Sequence, residues 1–446
     1  MNAPTSVSAA RRREVLNALR RGTVPSAGLD LFAVGLERFE NAIDDELAVV
    51  AAGGAVFKAV RGDYGSGKTF FTRWLAERAK RRGLAATEIQ ISETETPLHR
   101  LETVYRRLVE HLSTASTQPS ALREIVDGWF FTLEEDVLAA GSVDPNDLHA
   151  LSHGVDELLE ERLAAVARTT PAFAAALRAY RQARLGEDYA LAEGLMAWIG
   201  GQPNAAASAR RAAGIRGDLD HFGALGFLQG LLTVLRDCGH PGLLVVLDET
   251  ETLQRVRADV REKGLNALRQ LIDEIDSGRF PGLYVMITGT PAFYDGAQGV
   301  QRLTPLAQRL ATDFETDPRF DSPRAVQIRL AGFDQPRLAQ LGSAVRDLYT
   351  VDARSSERVR DQVDDAYIAT LASAIAGELG GKAGVAPRIF LRKLVADVLD
   401  RVDEFPDFDP RLHYKLTMSA SELTDEERNA LVVRAADVDD VELDLP

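Results

Sequence analysis

Gly62-Asp63-Tyr64-Gly65-Ser66-Gly67-Lys68-Thr69 fits the phosphate-loop pattern G-x-x-x-x-G-K-[ST] at every fixed position. The run before it, Ala55 to Arg61, reads as a buried strand. The run after it, Phe70-Phe71-Thr72-Arg73-Trp74-Leu75, reads as the start of a helix. Strand, loop and helix together form the context the pattern requires. Gly62, Gly65 and Gly67 let backbone N–H groups turn inward around phosphate oxygens, in conformations that a side chain resists. Lys68 places a positive charge on the β- and γ-phosphates. The Thr69 hydroxyl can ligate Mg²⁺, and the helix N-terminus adds its partial positive charge. Asp63, Tyr64 and Ser66 complete the loop, which implies a bound nucleoside triphosphate.

The whole chain sets bounds on what surrounds this loop. At 446 residues it exceeds one compact core, so two or three folding units are expected. It is acidic: 52 basic against 67 acidic residues give a net charge of −15. Binding to nucleic acid through the overall field is therefore excluded, and any such contact must be local, direct duplex binding being weak or indirect. The obvious basic clusters are Arg11-Arg12-Arg13 and Lys80-Arg81-Arg82. A single cysteine, Cys238, rules out an internal disulfide and suits a reducing compartment. No apolar h-region and no run of membrane-spanning length is found, so a cytoplasmic location without membrane contact is expected.

Along the chain, residues 1–30 read as a short basic helix and linker, and 31–93 as the first part of an α/β core. Within it, 35–52 is an amphipathic helix broken by Gly53-Gly54, and Thr87 to Ser92 alternates like a second strand. Residues 94–236 show almost no strand pattern. Leu98, Leu101, Tyr105, Leu108 and Leu112 mark one helix face, and helices near 120–140, 155–168, 172–185, 188–199 and 219–237 make this an all-α insertion. Residues 237–331 return to the core. Gly242 to Leu247 is a continuous apolar run ending in Asp248-Glu249, as expected of a strand buried on both faces. A helix over 256–276, a strand from Leu283 to Thr288, a helix near 304–311 and a strand from Ala325 to Leu330 follow. Strands alternating with helices predict a parallel sheet, with the Leu283 strand beside the phosphate-loop strand. Residues 332–405 read as a small helical lid, with helices at 336–350, 357–378 and 387–402, and 406–446 as an acidic tail.

Hydrolysis of a nucleoside triphosphate needs Mg²⁺ opposite the phosphate loop and a water aimed at the γ-phosphorus. Asp248 at a strand end suits the metal, and Glu249 suits the water. Thr290 and Thr288 end the next strand, where a hydroxyl can reach water or γ-phosphate; Thr290 is the preferred candidate. Arg309 ahead of the last strand and Arg388 at the start of the lid helix are each able to neutralise charge that develops on the γ-phosphate. Arg302 reads as a solvated residue. His149 and His153 have helical spacing but no acid or Cys to complete a metal site, and Cys238 reads as packing.

Together these features resemble an AAA+ ATPase, closest to the origin-recognition-like branch. Several stretches are similar to the ATP-binding proteins of BREX phage-defence systems, BrxD members especially: Leu19-Arg20-Arg21-Gly22-Thr23-Val24-Pro25, Val34-Gly35-Leu36-Glu37, Arg61 to Thr69, Leu247-Asp248-Glu249-Thr250-Glu251 and Ile287 to Tyr294. The likeness covers about residues 10–400. It implies ATP and Mg²⁺ as ligands, with Val34-Gly35 near the adenine, Arg309 as a finger acting in trans and Arg388 as a lid sensor. It further implies a homo-oligomer and the company of a methyltransferase and other BREX components. Origin-recognition relatives usually carry a C-terminal winged-helix module, and only an acidic tail of about forty residues follows the lid here. Two alternatives stay open: a nucleotide-gated scaffold with little turnover, and a DNA-remodelling or loader ATPase outside phage defence.

Overall fold

A computed structural model describes residues 7–141, 143–205, 207–217, 219–378 and 386–417. The acidic tail expected over 406–446 lies outside these residues from 418 onward, as do Gly384 and Val385 before the lid arginine. By its contacts the chain divides into two compact units. One gathers Met1–Asn41, Arg61–Glu77 and Arg329–Pro446; the other holds Ala42–Val60 and Arg78–Ile328.

The second unit contains the sheet. Its strands are β1 (Val56–Arg61), β2 (Ala85–Gln90), β3 (Leu243–Asp248), β4 (Leu283–Gly289) and β5 (Gln327–Arg329). The order is β2-β3-β4-β1-β5 in a five-stranded parallel sheet, so β4 does lie beside the phosphate-loop strand. Every residue of β3 and of β4 is buried, which explains their unbroken apolar runs. The register sets Gln90 opposite Asp248 and Leu247 opposite Ile287. The helix Glu37–Ala51 enters this unit at Ala42. Glu46 on it pairs with the Lys58 ammonium of β1 and accepts a 2.5 Å bond from the Tyr284 hydroxyl of β4. Lys58 is only 1% exposed, and its charge is tolerated because its ammonium meets Glu46 and also donates to the Pro323 carbonyl at 2.9 Å.

Among the described residues, seven helices lie between β2 and β3: Leu101–Glu110, Leu122–Ala139, Leu148–Thr169, Pro171–Leu185, Tyr189–Ile199, Ala207–Ala212 and His221–Asp237. The short helix Ala207–Ala212 has no counterpart in the periodicity. It is a turn and a half between Gly201 and Gly214, too short to show a face. Phe227 is the hub of the bundle, with Tyr105, Phe173 and Trp198 edge-on to it at 5.1–5.7 Å. Gly230, on the same helix as Phe227, allows the close approach: a Cβ there would stand 2.5 Å from the Phe173 ring.

In the first unit, Lys68–Arg81 forms the phosphate-loop helix, of which the residues to Glu77 belong here. The lid helices are Gln335–Thr350, Ser356–Gln362, Asp365–Glu378 and a run from Ala386 to Glu404. The helix expected over 357–378 is two helices. The chain leaves helical geometry at Val363, and the Asp364 carboxylate then caps the next helix through the Tyr367 N–H at 2.8 Å. The run from Ala386 is α-helical to Arg392, π-helical over Lys393–Leu399 and α-helical again from Asp400. Arg12 of the first helix, Ala9–Arg20, is 7% exposed and forked onto Asp352 at 2.7 and 2.8 Å.

Candidate functional site

The phosphate loop has the geometry its glycines predict. Gly65 and Gly67 sit at φ +76° and +93°, where only glycine is at ease. A Cβ on Gly62 would stand 2.3 Å from the Ser66 hydroxyl and 3.3 Å from the Leu330 carbonyl, so position 62 admits no side chain. Lys68 is 8% exposed and reaches back across the loop: its Nζ donates to the carbonyls of Gly62 at 2.9 Å and Asp63 at 3.3 Å. It also stands 5.2 Å from the Tyr64 ring centroid. Asp63 and Tyr64 are exposed at the mouth of the loop, and Thr69 is half-buried on the first turn of the helix. The Ser66 hydroxyl is buried without a hydrogen-bond partner among the described residues. A concave glycine backbone, an ammonium resting on weak carbonyl acceptors and an unspent hydroxyl together fit a triphosphate with its Mg²⁺.

The other sequence candidates of this unit lie on its N-terminal arm and lid. Val34 is buried, and Gly35 follows at φ +78°. A Cβ at Gly35 would be 3.9 Å from the Arg337 Nε of the first lid helix. Arg388 is half-buried in the first turns of Ala386–Arg392, and its stem lies beside Gly22.

The second unit carries the acids. Asp248 ends β3 at 6% exposure. Its Oδ1 accepts the Thr288 hydroxyl and, at 3.1 Å, the Glu249 N–H. The same N–H also reaches the Thr288 Oγ1 at 3.1 Å. Glu249 holds φ +59°, a left-handed conformation that costs a side-chain-bearing residue about 1–2 kcal/mol. Strain of this kind collects where a side chain must be aimed. The Glu249 Oε2 accepts a 2.8 Å bond from the Gln90 Nε2 at the end of β2. Thr250, fully buried, donates to the Thr288 carbonyl at 2.5 Å and fixes the turn after the acids.

Thr288, Asp248, Glu249 and Gln90 are thus brought together. Thr290 is not among their contacts: it caps the helix Pro291–Asp295 with extended backbone and is 7% exposed. Arg309 ends the helix Thr304–Arg309, where its guanidinium pairs with Asp273 and donates to the Pro305 carbonyl at 2.7 Å. Asp273 holds Arg269 as well, at 2.7 Å. Gln90 is the residue that sequence reasoning missed. Its only signal is a polar side chain at the carboxyl end of a strand that also carries Thr87 and Glu88. His149 and His153 are distant from these acids in sequence, and no group of His, Cys, Asp or Glu suited to a metal ion occurs among the described residues. Arg302 is exposed, as expected. Burial pushes the Cys238 thiol up to about 11, which leaves it unreactive packing.

Thr288→Val tests this cluster. The shapes match, so the fold should hold, but Asp248 and the Glu249 N–H each lose a partner. If Asp248 holds Mg²⁺, apparent Mg²⁺ affinity in the presence of ATP should fall about 10–100-fold, the usual effect of removing a group that orients a metal-binding carboxylate. Thr290→Val should leave it near wild type. Titration of both variants with Mg²⁺ checks this, and the reverse ranking would return the role to Thr290.

Among the described residues no helix is long and apolar enough to cross a membrane. A family model described as BREX system ATP-binding protein BrxC/D matches residues 7–418. No curated protein matches the chain.

Proposed function

The chain belongs to the BrxC/D family of BREX system ATP-binding proteins, and on that premise we propose that it binds ATP with Mg²⁺ in the phosphate loop Gly62–Thr69 and hydrolyses it as an AAA+ ATPase of the BrxD kind. The observation that carries the reading is the state of the loop: Lys68 folded onto the Gly62 and Asp63 carbonyls, with the Ser66 hydroxyl unspent. Phosphate oxygens carry negative charge and are better acceptors than those carbonyls, so a triphosphate in the loop would draw the Lys68 ammonium into contacts that are ionic on both the donor and the acceptor side. The strand order β2-β3-β4-β1-β5 supports the AAA+ assignment. Thr69 keeps the metal-binding role of its motif, and Asp248 keeps the acidic half of the same role. Mg²⁺, when bound, neutralises charge on the β- and γ-phosphates. Glu249 polarises the attacking water, and its bond from Gln90 sets the carboxylate in place while leaving Oε1 for the water. Val34-Gly35 lies by the adenine, and Arg388 answers to the γ-phosphate.

Family membership supports a role in BREX defence among the other components of such a system, and a methyltransferase is the proposed companion. The experiment that tests the enzymatic reading is the steady-state rate of phosphate release from ATP, with and without duplex DNA. Measurable steady-state turnover would eliminate the nucleotide-gated scaffold with little turnover. Strong stimulation by DNA would favour a remodelling or loader ATPase.

Arg309 is the proposed finger acting on the nucleotide of a neighbouring copy in a homo-oligomer. Its ion pair with Asp273 must then exchange on assembly. Arg309→Ala should retain ATP affinity and lose turnover by about 10³-fold. Mixing Arg309→Ala with Lys68→Ala, each inactive alone, should restore part of the rate. No recovery in proven mixed assemblies would assign Arg309 to its own subunit or to structure alone.

A further inference from the structure

Leu19-Arg20-Arg21-Gly22-Thr23-Val24-Pro25 takes no part in the chemistry above, yet it touches two of the elements that carry it. Arg20 forks onto the Asp400 carboxylate at 2.7 and 2.8 Å, and the Tyr349 hydroxyl donates to the same carboxylate at 2.9 Å. Asp400 lies on the helical run from Ala386 to Glu404 that also bears Arg388. Gly22 sits at φ +69° against the other end of that run. A Cβ there would be 3.4 Å from Arg392 Cδ, 3.6 Å from Arg388 Cγ and 3.8 Å from Arg388 Nη1. One methyl group would just fit, and anything longer would push the Arg388 stem aside. The turn itself is fixed by bonds from Gly22 N to the Leu19 carbonyl at 2.9 Å and from Thr23 N to the Ala18 carbonyl at 3.0 Å. Two residues on, the Val24 carbonyl accepts a 2.7 Å bond from Arg73, on the phosphate-loop helix. That helix holds the arm again where Glu77 accepts the N–H groups of Gly28 at 2.9 Å and Leu29 at 3.0 Å.

We propose that the segment Arg20–Val24 is a brace that positions the Arg388 guanidinium over the phosphate loop, so that the preference for ATP over ADP depends on it. A helical run held at one end by a forked ion pair and shaped at the other by a glycine cannot roll freely. An arginine that must meet a γ-phosphate oxygen loses most of its effect when displaced by about 1 Å. Arg20 and Gly22 are therefore positioning residues acting through Arg388. The inference rests on the reading of Arg388 as the group that meets the γ-phosphate.

The test is the ratio of ADP to ATP dissociation constants, measured for wild type, Arg20→Ala, Arg388→Ala and the double variant. ADP affinity serves as the control for a folded phosphate loop. Arg388→Ala should lower the preference for ATP. Arg20→Ala should lower it about fivefold or more in the wild-type background and not at all in the Arg388→Ala background. The exchange Arg20→Asp with Asp400→Arg should recover much of the loss. Gly22→Asn, which tolerates the left-handed backbone but fills the space beside Arg388, should reproduce it even if Arg20→Ala folds poorly. A wild-type ratio in Arg20→Ala and Gly22→Asn overturns the brace, as does an equal fall in both backgrounds. If Arg388→Ala itself keeps the wild-type ratio, the reading of Arg388 fails and the brace has nothing to position.

Discussion

Lys68→Ala is expected to weaken ATP binding by roughly a hundredfold, the equivalent of about 3 kcal/mol for a lost charge-assisted contact. The ammonium is 8% exposed and already lies across the mouth of the loop on the Gly62 and Asp63 carbonyls. No other lysine lies in the loop. Without it the loop meets the phosphates through backbone N–H groups and hydroxyls, and their charge is only partly compensated. The fold should survive, because the left-handed backbone of Gly65 and Gly67 is set by the glycines themselves and not by the side chain at 68. Titration with a fluorescent ATP analogue, with a thermal melt as control, checks both statements. Unchanged affinity in a folded variant would refute the phosphate-loop assignment.

Glu249→Gln should separate binding from hydrolysis. Glutamine keeps the shape, can still accept from Gln90 through its amide oxygen, and is no worse suited than glutamate to φ +59°. What it loses is the negative charge that draws a proton from water. General-base contributions of this kind run to about 10²–10⁴-fold in rate. The variant should therefore retain ATP and Mg²⁺ and release phosphate at no more than about a hundredth of the wild-type rate. Rapid filtration of bound nucleotide alongside a phosphate-release assay measures the two separately. Wild-type turnover would move the base elsewhere.

The parts of this reading that depend on local pattern were open to inspection in the sequence. The apolar run Leu243–Leu247 closed by two acids had to be a strand buried on both faces, and the phosphate loop announced its own glycines. What depends on register was not. Thr288 and Thr290 both read as strand-end hydroxyls in one dimension, with Thr290 preferred. Only the pairing of Leu247 with Ile287 puts the next residues, Asp248 and Thr288, side by side. β4 stops at Gly289, and Thr290 turns away to cap a helix. Gln90 has the same history: its partner is decided by the β2–β3 register across more than a hundred and fifty intervening residues. The pairing of Arg309 with Asp273 joins two helices thirty-six residues apart, a distance over which no periodicity speaks. The break at Val363 is a local event, but Asp364 as a cap has no strong neighbours in sequence to mark it.

The left-handed backbone at Glu249 has a bearing on how the protein would respond to selection. A conformation that disfavours glutamate by about 1–2 kcal/mol is nearly free to glycine and easier for asparagine. A search for heat-resistant variants that scored survival alone would be drawn to those two residues at this position. Each gain in melting temperature there would come with the loss of the carboxylate. Robustness and turnover are set against each other at this one peptide unit, and a library screened for the first must be rescued by a screen for the second.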